Sequence, residues 1–113
     1  MNTTQQSCLP VEVLAALYRR ALAQAYLDAC TAYGVETGYS LDELQMTIAK
    51  EVESYYVRQH GAKLGMDIAC AMLRDMVQPD ILVAKPRLTP LGESMMDELF
   101  RPCLHTTPET TLH

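Results

Sequence analysis

Four cysteines and three histidines carry the nucleophilic, basic and soft metal-binding chemistry available to this sequence: Cys8, Cys30, Cys70, Cys103, His60, His105 and His113. A thiol beside an imidazole forms a nucleophile–base couple, and Cys30 or Cys70 with His60 is the pair to weigh. Both cysteines fall on apolar helical stretches, where a free thiol behaves as a small hydrophobe. His60 stands at a helix junction, so the reading of buried thiols and a solvated imidazole prevails. Cys103-Leu-His105, with His113 behind it, offers sulfur and imidazole at short spacing. Structural zinc sites draw paired ligands from two knuckles, and here there is one pair in a polar tail. Asp42, Glu43, Glu51 and Glu53 cluster, but Glu51 and Glu53 are two residues apart and do not face each other on a helix. No Gly-x-Ser-x-Gly, phosphate-cradling glycine loop or dinucleotide fingerprint occurs. The expectation is a chain that is not an enzyme and holds no cofactor or metal.

The elements that must position these residues read as an all-α domain of four main helices. Residues 1–9 form a polar N-terminal arm, 10–101 a helical domain and 102–113 a flexible C-terminal tail. The first helix spans about 10–33, with Val11, Leu14, Tyr18, Leu22, Ala25, Ala29 and Tyr33 recurring in steps of three or four, and Gly34 suits its end. Ser40-Leu-Asp-Glu43 is a capping box, and the second helix follows over 41–59, with Leu41, Leu44, Ile48, Val52 and Tyr55 on one face. A third helix over 62–77 carries the stripe Leu64, Ile68, Met72 and Met76; a small residue at Gly65 permits close packing. Ile81, Leu82 and Val83 favour a short extended, wing-like segment near 81–88 that Pro86 limits. Thr89 then caps a fourth helix with Pro90 at its first position, and Leu91, Met95 and Leu99 face inward.

Composition narrows the class. With 113 residues the chain is one domain. It is 49% hydrophobic but has no Trp and one Phe, so its core rests on aliphatic residues, Met and Tyr. Small helical chains are marginal as monomers, and self-association buries more surface. No segment approaches the ~20 apolar residues of a membrane span, and "MNTTQQSCLP" lacks a secretory signal's basic and apolar regions. A cytoplasmic protein without membrane contact is expected. The cysteines are widely spaced, so free thiols are the first reading and a bridge through Cys8 or Cys103 the alternative.

"RLTPLGESMMDELF" resembles the end of a winged-helix DNA-binding domain, a strand running into Leu-Thr-Pro-x-Gly and a closing helix. The resemblance covers about residues 62–100 and implies that "AKLGMDIACAMLRDM" would enter the major groove. Lys63, Arg74, Lys85 and Arg87 would then be the DNA contacts, with Asp67 and Asp75 opposing them. Specific DNA binders commonly neutralise about 6–10 phosphates. Four cations per chain, in a protein of 9 basic and 14 acidic residues with net charge −5, are few. The stretch therefore reads as a scaffold not used mainly on nucleic acid, or simply as a well-capped helix.

Protein–protein contact is the leading expectation. Tyr18, Tyr26 and Tyr33 stand eight and seven apart on the first helix, with Leu14, Leu22, Ala25 and Ala29 around them. Tyrosines supply apolar area with a polar tip and are enriched at interfaces. Met72, Met76, Met95 and Met96 concentrate adaptable thioethers in the second half, and adjacent Met95 and Met96 cannot both face one core. In size, acidity and helix order the chain resembles the small all-helical antiactivators of LuxR-type quorum-sensing regulators. That resemblance implies a homodimer that binds a transcriptional regulator and blocks its dimerisation. It transfers no site residues.

Overall fold

The computed structural model describes residues 9–78 and 85–100. Among these, four helices enclose one core and a short β-ribbon joins the last two. α1 is Val11–Tyr33; Gly34 closes it in the left-handed conformation, φ 71°, and the Val35 N–H donates to the Cys30 carbonyl at 2.8 Å. α2 begins at Leu41–Ile48, passes through a π-helical turn at Ala49–Glu53 and continues through Ser54–His60. Its start is the capping box: the Glu43 N–H donates to the Ser40 hydroxyl at 3.1 Å and the Ser40 N–H to the Glu43 carboxylate at 2.9 Å. Gly61, at φ 91°, turns the chain into α3, Ala62–Met76. β1, Val77–Gln78, pairs antiparallel with β2, Arg87–Leu88, before α4, Pro90–Leu99.

Of the extended segment expected near 81–88, Arg87–Leu88 forms β2; residues 79–84 lie outside the described residues, as do residues 1–8 and 101–113. Pairing joins Val77 to Leu88 and Gln78 to Arg87. Over residues 62–100 the described order is helix, short ribbon, helix.

The core is built from Leu22, Tyr26, Leu44, Ile48, Leu73, Met76, Met96 and Phe100, all essentially inaccessible. Tyr26 packs its ring on Phe100 at 5.6 Å, and Tyr39 meets Phe100 edge-on at 5.1 Å. Two glycines permit close approach. A Cβ at Gly65 would collide with the Val57 Cα and the Tyr56 carbonyl, so α3 and α2 touch backbone to backbone there. A Cβ at Gly92 would strike the Met76 carbonyl. At that same crossing Thr89 donates its hydroxyl to the Asp75 carbonyl at 2.8 Å and accepts from the Gly92 N–H at 3.1 Å. Leu-Thr-Pro-Leu-Gly thus fastens the start of α4 to the end of α3.

Three helical faces depart from the sequence reading. On α3 the inward line is Gly65, Ala69, Leu73 and Met76, so Leu64, Ile68 and Met72 lie to its side. On α4 it is Gly92 and Met96, with Leu91 exposed and Met95 and Leu99 half-buried. On α2 the cause is the π turn. One extra residue in a turn shifts helical phase by roughly 100°. Leu44, Ile48 and Val52 stay inward, but Tyr56 takes the place expected for Tyr55, which is exposed. The turn also buries Glu53, whose carboxylate pairs with the Arg19 guanidinium of α1.

Gly92→Ala is expected to cost about 2 kcal/mol or more, since the backbone crossing leaves no room to relax. Arg19→Met and Glu53→Leu should each lose about 2 kcal/mol, and the double variant clearly less than their sum. Urea denaturation of the four proteins measures both, and additivity in the cycle would refute the coupling.

Candidate functional site

An apolar ridge lies on the outer side of α3. Leu64 is 54% exposed, and Ile68, Ala71 and Met72 are half-buried, giving a ridge at steps of three and four. Its far end opens into a cleft of ≈ 200 Å³ lined by Glu51, Val52, Tyr55 and Tyr56 of α2, Met72 of α3 and Met95 of α4. Tyr55 and Tyr56 meet edge-on at 5.1 Å, and Tyr56 stacks on His60 at 6.4 Å. The π turn places Tyr55 outward into this cleft. The cleft therefore combines two thioethers and two aromatic rings with the Glu51 carboxylate, while exposed Asp67 and Asp75 share the ridge with Leu64 and Ala71.

Charge on the same helix is balanced. Lys63, Asp67, Arg74 and Asp75 are all exposed, and Arg74 lies 3.7 Å from Asp75. Lys63 and Arg74 are about 16 Å apart along the axis. The structure brings the other two expected DNA contacts together elsewhere: Lys85 and Arg87 line a ≈ 440 Å³ groove with Asp28, Ala25 and Ala29 of α1 and Glu93 of α4. The four cations thus occupy two places, each shared with carboxylates.

The interface residues read from the sequence separate into two sets. Met72 and Met95 meet in the cleft; Tyr18, Leu14 and Ala29 are half-buried, and Tyr33 is 58% exposed. Leu22, Ala25, Tyr26, Met76 and Met96 are buried. Those five are core, which corrects their reading as contact surface. The tyrosine stripe fails for a geometric reason: eight residues turn a helix by about 80° beyond two full turns, so Tyr26 points inward where Tyr18 grazes the surface. The sequence pattern does not mark Leu64 and Ile68, or Val13 and Leu17 on α1, as surface. Val13 and Leu17, 42% and 54% exposed, stand four apart on α1, a step that periodicity alone could have shown.

Cys30 and Cys70 are buried free thiols. Burial pushes both upward from the ordinary thiol range; the Tyr26 hydrogen bond partly opposes this at Cys30, as the Arg74 charge does at Cys70. A buried, neutral thiol is a poor nucleophile. Cys8, Cys103, His105 and His113 lie outside the described residues, and among those described no three His, Cys, Asp or Glu side chains are grouped as metal ligands. No helix among the described residues is long and apolar enough to cross a membrane.

The description "Family of unknown function (DUF5375)" matches residues 1–113. A P4 prophage-derived uncharacterized protein of Salmonella typhi is 45% identical over 91 residues, covering 80% of this chain and 86% of the relative. No solved structure matches.

Tyr26→Ala should destabilise the fold by about 3–5 kcal/mol, whereas Tyr33→Ala should stay within about 0.5 kcal/mol of the parent. Denaturant titration distinguishes these, and equal effects would refute the division into core and surface. In a Cys8→Ser, Cys103→Ser background, Cys30 and Cys70 should resist a thiol reagent until the chain opens. Because folding favours their neutral forms, their stabilising contribution is complete below the unfolded thiol pKa and is lost as pH rises through the folded one. Stability that increases with alkaline pH in this range would contradict that sign.

Proposed function

We propose that this chain, which belongs to the DUF5375 family, is a non-enzymatic interaction protein that acts in the cytoplasm. On this reading it is a homodimer whose α3 face binds an apolar segment of a transcriptional regulator and blocks that regulator's dimerisation or DNA binding. The observation that carries the reading is the half-exposed ridge Leu64, Ile68 and Met72 running into the Tyr55–Met95 cleft. A groove rimmed by thioethers and aromatic rings accommodates the apolar anchors of a helix. The resemblance to antiactivators of LuxR-type quorum-sensing regulators supplies the class of regulator to test first.

A second reading, a winged-helix DNA binder, draws on one observation: a ribbon bearing Arg87, with Lys85 just before it, follows α3. The balanced charge of α3 favours protein over phosphate. Direct readout wants a helix that presents donors and cations to the groove, and this one presents Leu64, Ile68 and Ala71.

The experiment compares the parent with Leu64→Glu/Ile68→Glu and with a variant in which Lys63, Arg74, Lys85 and Arg87 are changed to Gln. Purified ligand-binding domain of a LuxR-type regulator and a duplex of mixed sequence at low salt are the two probes. The proposal expects binding of the regulator, weakened about tenfold or more by the ridge variant and unchanged by the cation variant. Salt-sensitive retention of the duplex, lost with the cations, would select the second reading.

A further inference from the structure

We infer that the cleft between α2, α3 and α4 is a binding site for a cationic side chain, an arginine that a partner segment inserts beside Tyr55 and Glu51. The inference rests on the α3-face reading and names the anchor which that face takes. At ≈ 200 Å³ the cleft is smaller than the ~300–1,000 Å³ of small-molecule pockets and is on the scale of one side chain. Tyr55 is 46% exposed and meets Tyr56 at 81° between ring planes, so the rings form adjoining walls. His60 already stacks on Tyr56, which leaves Tyr55 as the ring open to a ligand. A guanidinium on a tyrosine face is attracted by the ring quadrupole, and its planar fork matches a carboxylate. Met72 and Met95 offer polarisable apolar surface to the methylene stem.

Charge identifies the occupant. Glu51 lines the cleft and, among the described residues, has no hydrogen-bond or ion-pair partner. Asp75 stands three residues beyond Met72 and Glu98 three beyond Met95, so each exposed carboxylate neighbours a lining thioether on its own helix. Among the described residues no Lys, Arg or His lines the cleft. The cations of α3 are turned away, Lys63 by about 180° and Arg74 by about 160° from Met72 round the helix. α4 carries no Lys or Arg at all. A leucine anchor would fill the same space, but it would take Glu51 out of water with no counter-charge. An arginine supplies that counter-charge and the apolar stem together.

The test titrates N-acetyl-arginine methylamide and N-acetyl-norleucine methylamide into the full chain carrying isotope-labelled methionine methyls. Met72 and Met95 report on the cleft by NMR, and buried Met76 and Met96 report on the fold. The arginine probe is expected to shift Met72 and Met95 saturably, with a dissociation constant of roughly millimolar for a fragment of this size. Norleucine should bind at least about fivefold more weakly, and Glu51→Gln and Tyr55→Leu should each weaken the arginine probe by a similar factor. Met76 and Met96 should keep their folded signals in both variants. Equal binding of the two probes, an arginine titration unchanged by Glu51→Gln, or no saturable shift overturns the site. The ligand-binding domain of a LuxR-type regulator separates this inference from the proposed function. If that domain binds the parent and Glu51→Gln equally, the arginine site fails and the α3-face reading stands. If the arginine fragment binds as expected and that domain does not, the site stands and that class of partner fails.

Discussion

The placement of Glu53 opposite Arg19 is the constraint on which most of this structure turns. A buried carboxylate without a counter-charge is strongly disfavoured, so a phase of α2 that brought Glu53 inward anywhere else would be penalised. The π turn at Ala49–Glu53 reconciles the charge pair with the apolar line through Leu44, Ile48 and Val52. Such a pair contributes less to net stability than to choosing one packing over its neighbours. Its effect reaches the surface, because the same phase shift sends Tyr56 against the core and Tyr55 into the cleft beside Met72 and Met95.

A second constraint fixes the other side of that cleft. α4 can carry Met95 to α3 only because Gly92 lets its backbone lie on the Met76 carbonyl, while Thr89 satisfies groups at both helix ends. The ribbon closes the same junction through the Thr89 N–H, which donates to the Met76 carbonyl at 3.1 Å. A stretch that resembles a DNA-binding signature thus has a complete mechanical explanation. It orders three helices and a hairpin whatever their outer side chains are used for.

Much of this was legible beforehand because local signals and tertiary packing agree. The capping box at Ser40, the glycine stop at Gly34 and the Thr89-Pro90 start depend on nearest neighbours, and the helices begin and end where these residues place them. Inward faces were harder to read. On α3 the buried line uses Gly65 and Ala69, residues too small to stand out beside Leu64 and Ile68, so periodicity points the larger side chains to the core. The π turn has no composition signature; only the partner at Arg19, 34 residues away, explains it. The outward ridge, which carries the functional reading, is what remains once small residues have taken the interior.

The two outward faces do not compete. α1 and α3 pack on each other through their buried sides, α1 with Leu22, Tyr26 and Cys30 and α3 with Ala69 and Leu73. Their exposed ridges therefore look away from one another.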